Sequence, residues 1–351
     1  MIKLFQPFIS NQARDNVHRI LSGTQIAQGP EVDLFEREFA AKFGYEPWQV
    51  VTVNSGTAAL ELAYHMTLEP GDHVIVPVLT CTATNIPLVR MGIDMTFADI
   101  TGPKCLNLDS EDVYNKIQQN TRAVVFVHFG GNSDGLSAIE EICEEEGLDL
   151  ICDAAQALGA PLSKKARFNC ISLQAIKSLT SGDGGILICR DKKDAEMARK
   201  LRWFGYDREK KQRYGDCDLD VAGFKMHMND ISAAIGRGNL EVWDDIEQHR
   251  RDINTIYTEV YSQSQRSHYL INGIWNPVVT MADYETAKQK AKAGNFEIGQ
   301  HHYRNDKYSV FRSVSGYCPN MDDLGNKYFM LPCHMGMTLE DADKIAHSLW
   351  L

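Results

Sequence analysis

No apolar run in the sequence approaches 18 residues, so no membrane-spanning helix is expected. The opening stretch, Met1 to Asn16, holds the lone Lys3 and no signal-length apolar core. It carries no secretory pattern, and a cytoplasmic location is the expectation. Nine cysteines are scattered without a C-x-x-C pair, which reads as reduced thiols and excludes a disulfide framework. Neither a helical i,i+4 histidine pair nor a Cys/His ligand spacing occurs, so no metal site is expected. The adjacent His301 and His302 read as substrate contact or plain structure. Positive charge is scarce. Lys and Arg total 36 against 47 Asp and Glu, a net charge of −11 that argues against general nucleic-acid binding. A small anion held by local donors stays open. A G-x-G-x-x-G run is missing too, so a Rossmann dinucleotide site is not suggested. Internal repeats and low-complexity segments are also lacking.

What is present is an ordinary globular composition, 44% hydrophobic and 24% charged over 351 residues, enough for a large core and two domains. Residues 1–25 read as an N-terminal arm leading into a short helix. Pro30 suits a helix first turn, and Val32, Phe35, Phe39 and Phe43 then recur at helical spacing as a packing face. Short apolar runs follow, at Val50–Val53, His73–Pro77, Asp94–Ala98, Ala123–Phe129 and Leu148–Cys152. They alternate with helical segments, including Thr82–Met91 and Leu136–Glu146. That alternation predicts an α/β fold with a mostly parallel central sheet flanked by helices. Asp191–Trp203 reads as a helix and Tyr206–Leu219 as a polar loop. Ala233, Ala234 and Gly236 lie on a small-residue helix suited to close packing. A long helix from about Leu240 to Ser262 holds the domain boundary, giving 1–245 and 246–351. The second part reads as a smaller α+β C-terminal domain, with a strand near Gly273–Val279, a helix near Tyr284–Ala293 and a closing helix over Met337–Leu351.

Three places carry chemistry. Asn169 to Gly185 holds a single lysine, Lys177, between a β-type run and the turn Ser181-Gly182-Asp183-Gly184-Gly185. Such a lysine is either an exposed loop residue or an amine whose surroundings disfavour the charged form. A neutral amine forms Schiff bases with carbonyls. Asp153 follows the apolar run Leu150-Ile151-Cys152, at the strand end where open α/β sheets bind ligands. It is either a helix cap or a buried anion in need of a cation. Ser55-Gly56-Thr57 joins a strand to a helix, either for turn reasons or as a phosphate nest on free N–H groups.

The order of these pieces resembles the DegT/DnrJ/EryC1/StrS family of sugar aminotransferases, within the fold-type I pyridoxal-phosphate enzymes. The resemblance rests on Gly29-Pro30 with Phe35-Glu36, Asn54-Ser55-Gly56-Thr57-Ala58-Ala59-Leu60, Pro70-Gly71-Asp72 and Val127-His128-Phe129-Gly130-Gly131. It continues through Asp153-Ala154-Ala155-Gln156-Ala157-Leu158-Gly159, Ser172 with Lys177, Gly182-Asp183-Gly184-Gly185, and Asn229-Asp230 with Ala233-Ala234-Ile235-Gly236. It spans nearly the whole chain and is poorest over 263–300.

The resemblance implies a large domain, 1–245, that binds pyridoxal 5'-phosphate, with a pyridoxamine form in its cycle. Lys177 would bond the cofactor aldehyde and shuttle a proton. Asp153 would pair with the ring nitrogen, and Gln156 would lie near the ring hydroxyl. Ser55, Gly56, Thr57 and Ser172 would hold the phosphate. Two positions depart from the family. Cys81 stands where many relatives stack an aromatic on the ring. Lys225 stands where many place an asparagine that reaches the phosphate of the neighbouring subunit, which implies a homodimer with active sites at the subunit interface. Tyr206, His302 and Arg304 are candidate substrate contacts. The implied reaction is amination of a nucleotide-linked keto sugar, a 4-keto-6-deoxy sugar, with glutamate as donor, for surface polysaccharide or glycoconjugate synthesis. Dehydration, a cyclitol ketone substrate and a non-catalytic regulatory role are the alternatives. Family dehydratases carry histidine where this chain has Lys177, which favours transamination.

Overall fold

The computed structural model describes residues 1–215, 217–263 and 268–350. Its strands, in chain order, are β1 (Val50–Val53), β2 (His73–Pro77), β3 (Asp94–Ala98), β4 (Ile100–Gly102), β5 (Cys105–Leu108), β6 (Thr121–Val127), β7 (Asp149–Asp153), β8 (Phe168–Ser172), β9 (Gly185–Cys189), β10 (Tyr269–Ile271), β11 (Val278–Thr280) and β12 (Tyr328–Met330). Seven of them form one sheet in the order β1-β9-β8-β7-β6-β2-β3. β3, β2, β6, β7 and β8 pair in parallel, and β9 lies antiparallel between β8 and β1. This is the mostly parallel, helix-flanked sheet that the sequence predicts.

Both faces of the sheet are covered, so its strands are almost wholly apolar. Successive side chains alternate between the faces. Val51 and Val53 of β1 and Leu187 of β9 join the core with the helix Gly56–Thr67. Val50, Ile186 and Ile188 face Phe35 and Phe39 of the helix Pro30–Phe43. Small residues let helices close on that layer. A Cβ at Gly236 would stand 2.7 Å from the Phe35 ring, and one at Gly238 would run into the Ala13 backbone. Asp230 joins two of the motifs, since its carboxylate accepts from the N–H of Gly29 (2.7 Å) and of Val32 (3.3 Å) at the start of the Pro30–Phe43 helix.

The helix Trp243–Ser262 begins in that core through Trp243 and Ile246. It ends in another core through Ile253, Tyr257 and Val260. There β10, β11 and β12 form an antiparallel sheet whose Val279 and Phe329 face the closing helix Leu339–Trp350. Val278 and Met330 face the core of the large sheet instead. The N-terminal arm crosses this second part. Ile2 bridges Phe296, and the Lys3 carbonyl accepts from a His334 ring nitrogen at 2.8 Å.

Two segments differ from expectation. Part of the loop expected over Tyr206–Leu219 is a helix, Arg208–Tyr214, because the Asp207 carboxylate caps it by accepting from the Lys210 N–H at 3.1 Å. The strand expected over Gly273–Val279 is confined to Val278 onward. The N–H groups of Trp275 and Asn276 donate to the Gly130 carbonyl (3.1 and 3.2 Å), which draws 273–276 out of the sheet and over the ends of the parallel strands. Asp216 of the expected loop, residues 264–267 and Leu351 of the closing helix lie outside the described residues. Among the described residues no helix is long and apolar enough to cross a membrane.

Candidate active site

The register of three strands builds the first part of the site. Gly185, the first residue of β9, pairs with Val53 on one side and with Ser172 on the other. The chain leaves β1 at Val53 and enters the helix Gly56–Thr67, so Ser55 and Gly56 arrive beside Ser172. Side chains are excluded there. A Cβ on Gly56 would stand 2.7 Å from the Ser172 Cβ, and one on Gly185 would run into the Ser55 backbone. Ser55 caps the helix, its Oγ accepting from the Ala58 N–H at 3.0 Å. The N–H groups of Gly56 and Thr57 are first-turn donors without intrahelical acceptors. With the Ser172 hydroxyl they form a small cradle of donors at a positive helix end, suited to a phosphate.

Asp153 ends β7 and is 4% exposed. Its Oδ2 accepts from the Thr84 hydroxyl at 2.7 Å and its Oδ1 from the Ala155 N–H at 3.0 Å. Thr84 is held in turn by the Thr80 hydroxyl at 2.7 Å, while its carbonyl accepts from Tyr64 at 2.9 Å. Among the described residues no cation lies within ion-pairing distance of Asp153. Burial therefore raises its pKa, against the bonds from Thr84 and Ala155 and the attraction of Lys177. Beside it the Gln156 Oε1 accepts from the Gly130 N–H at 2.8 Å, which fixes the amide and leaves its NH2 as a donor.

Lys177 sits on a tight loop after β8. Its N–H donates to the Gln174 carbonyl at 2.9 Å, and the Ser181 N–H and Thr180 hydroxyl both return to the Leu173 carbonyl (2.9 and 3.0 Å). The amine lies over the Trp275 ring, 4.0 Å from its centroid. Burial pulls its pKa down to about 8, with Asp153 and Cys81 opposing the fall. At neutral pH a sizeable fraction of this amine is a nucleophile, where an ordinary lysine is almost wholly protonated.

Cys81 precedes the helix Thr82–Met91 and faces the same space. Burial pushes its thiol up, the Asp153 carboxylate adds to that rise, and the Lys177 ammonium opposes it. His302 is buried and stacks on Trp275, with ring centroids 6.2 Å apart, and its Nε2 meets no hydrogen-bond partner among the described residues. Burial, His301 and Lys177 all hold it neutral. Arg304 is committed elsewhere. It grips Asp306 through two bonds (2.7 and 2.6 Å) and Asp322 through a third (2.6 Å). Tyr206 packs with Trp203 (5.3 Å) and under the Lys211 ammonium (3.9 Å). Lys225 is exposed, and its backbone runs beside Asn54, whose N–H donates to the next carbonyl, that of Met226, at 2.7 Å.

Lys177, Asp153 and Cys81 thus share one space, with Gln156 beside Asp153 and the Ser55–Thr57/Ser172 cradle at the neighbouring strand ends. Three neighbours escape the sequence reading: Thr84, Trp275 and Phe5. Thr84 lies three residues beyond Cys81, on the helix Thr82–Met91, which the sequence reading gives no chemical role. Trp275 is 98 positions from Lys177 in a segment with poor family likeness, so no local spacing could find it.

A buried carboxylate without a cation, a depressed amine and a phosphate-sized donor cradle fit one ligand with a cationic ring nitrogen, an aldehyde and a phosphate. The model of the DegT/DnrJ/EryC1/StrS aminotransferase family matches residues 7–350. The chain is 29% identical to a dTDP-4-dehydro-2,3,6-trideoxy-D-glucose 4-aminotransferase of Saccharopolyspora spinosa, over 98% of this chain and 94% of that protein. It is 31% identical to a GDP-perosamine synthase of Vibrio cholerae, over 79% and 75%. Among solved structures, the sugar aminotransferase CalS13 of Micromonospora echinospora superposes with a TM-score of 0.92 at 27% identity, over 99% of both chains.

Proposed function

The chain belongs to the DegT/DnrJ/EryC1/StrS aminotransferase family, and from that premise we propose that it moves an amino group from glutamate to the ketone of a nucleotide-linked sugar with pyridoxal phosphate as cofactor. A 4-keto-6-deoxy sugar is the proposed acceptor class, and the product is an amino sugar for polysaccharide or glycoconjugate assembly. The carrying observation is the meeting of an amine titrating at about 8 with a buried, cation-free carboxylate in one space.

The cofactor supplies an electron-accepting ring and the carbon on which the amino group travels. Asp153 would face the ring nitrogen and hold its proton there, since a cation beside this carboxylate removes the cost of its burial. Gln156 would offer its NH2 to the ring hydroxyl, its orientation set by the Gly130 N–H. Gly56, Thr57, Ser55 and Ser172 would bind the phosphate. Lys177 would move a proton between the reacting carbons, a task suited to an amine that titrates near working pH. A lysine can also bond the cofactor covalently, which imidazole in its place cannot do, and so position 177 supports amination over dehydration. Lys225 is proposed to reach the phosphate of a second copy, which makes the working unit a homodimer. No disulfide joins two cysteines among the described residues, which suits the cytoplasm as the proposed location.

Replacing Lys177 with alanine tests the reading. The loaded wild type should absorb in the visible, and Lys177→Ala should lose that band together with the roughly 10²- to 10⁴-fold that one acid–base group contributes. Mass spectrometry of the sugar product should show an amine in place of the ketone oxygen. Normal turnover by the variant, or a product that has lost water instead, sinks the assignment.

A further inference from the structure

We propose that Trp275 is a positioning residue for Lys177: its indole face holds the lysine ammonium whenever the lysine is free of the cofactor, and so keeps the amine at the reacting atoms. This rests on the reading of Lys177 as the amine that bonds the cofactor. A transaminase must release that lysine each time the amino group is carried between donor and acceptor. The freed amine then has to persist in surroundings that disfavour its charge, within reach of where it must act.

The geometry fits that task. The ammonium lies 4.0 Å from the ring centroid, at the distance where a cation is drawn to the negative face of an indole. Trp275 is fully buried, and it is fixed to the element that carries its guest. Its Nε1–H donates to the carbonyl of Ile176, the residue before Lys177, at 3.1 Å. Its own backbone N–H donates to Gly130, whose N–H orients Gln156. Phe5 of the N-terminal arm stacks on the ring at 5.1 Å and 19°, and His302 at 6.2 Å and 23°. A buried indole N–H needs an acceptor in any core; here the acceptor is the carbonyl next to Lys177, and that bond sets the ring face against the amine. The titratable groups that face the amine are Asp153 on β7, Cys81 before the Thr82–Met91 helix, and His301 and His302. Burial holds both histidines neutral, with the His301 pKa near 4. The indole face therefore joins Asp153 as a stabiliser of the ammonium.

The test uses the cofactor-free full chain, so it does not depend on which sugar is aminated. The pH dependence of Lys177 acylation, read peptide by peptide by mass spectrometry, gives the midpoint of the amine. Trp275→Leu should lower that midpoint by about one unit, a tenfold change, given the worth of a desolvated cation–π contact. Trp275→Phe keeps a π face and should lower it by less. Should the leucine variant fail to fold, a series with mono-, di- and trifluorinated tryptophan preserves shape while draining the ring face of electron density. The Lys177 midpoint should then fall stepwise with fluorine number, and the other lysines should not follow. Equal midpoints across that series, or equal shifts in the leucine and phenylalanine variants, overturn the proposal. Absence of sugar amination by the unsubstituted protein, with the fluorine trend intact, would instead count against the function and leave the role of Trp275 standing.

Discussion

Strand β7 begins and ends in an aspartate, about 13 Å apart at ~3.3 Å per residue, and the two carboxylates are treated oppositely. Asp149, at the start, lies 3.1 Å from Arg167 and 3.3 Å from Arg122, and Arg167 also grips Asp194. These groups line a cleft of about 870 Å³ at the N-terminal ends of the parallel strands, floored by Met197, Leu201 and Phe224. Asp153, at the other end, has hydroxyl and amide donors but, among the described residues, no cation within ion-pairing distance. Room alone therefore does not mark the reactive end of this sheet. Asp149 meets its counter-charges within the fold, whereas Asp153 is left in want of one. The uncompensated end is the one that can gain by binding something cationic.

Asparagine at each end separates the two roles, and the largest effect belongs to Asp153→Asn. Losing one partner of a buried charge pair is worth about 3–5 kcal/mol, so kcat/KM should fall roughly 10²- to 10⁴-fold. Stability should move the other way. Burial holds the Asp153 pKa above its ordinary value, so its contribution to stability is fully present below the unfolded pKa and lost as pH rises through the folded one. Asparagine removes that loss, and the Thr84 hydroxyl can turn to accept from the new NH2 while donating to Thr80. The cofactor-free variant should melt at or above wild type at pH 7, and a clear fall in its melting temperature would break the contrast. Asp149→Asn should do the reverse. It should cost about 1.5–3 kcal/mol in a urea titration and leave kcat/KM of the folded enzyme within about twofold.

Gly56→Ala probes the cradle. Its new methyl would stand 2.7 Å from the Ser172 Cβ, on backbone pinned by the β1–β9–β8 register. Overpacking of this kind costs about 1–3 kcal/mol, so the dissociation constant for pyridoxal phosphate, read by equilibrium dialysis, should rise roughly 5- to 150-fold. Unchanged affinity would move the phosphate away from this turn.

The uneven legibility of the sequence follows the same contrast. β2, β3 and the helices Thr82–Met91 and Tyr284–Ala293 are readable to the residue, because apolar runs and helical spacing are local properties. Lys177, Asp153 and Ser172 are legible because each stands at a strand end or loop with a motif around it. Trp275 is not, since the turn that carries it is set by two bonds to Gly130, 145 and 146 positions away, and not by its own neighbours. The helix Arg208–Tyr214 escapes for a smaller reason. A single capping carboxylate, Asp207, tips a charged, loop-like stretch into a helix.

The smallest effect bears on both ends of β7 at once. With the Lys177 amine titrating at about 8, capture of pyridoxal phosphate by the cofactor-free protein should speed up with pH and level off above that value. The rate at pH 7 should be about a tenth of the plateau, as the neutral fraction requires. A lysine at its ordinary 10.5 would keep accelerating through pH 10. Asp153 attracts the ammonium and so raises its pKa, and Asp153→Asn should therefore move the midpoint to lower pH. Asp149→Asn, at the paired end of the same strand, should leave it in place. Stopped-flow absorbance across pH 6 to 10 reads all three proteins. Equal shifts in the two variants would mean that Lys177 responds to the net charge of the molecule, and not to the one carboxylate that faces it.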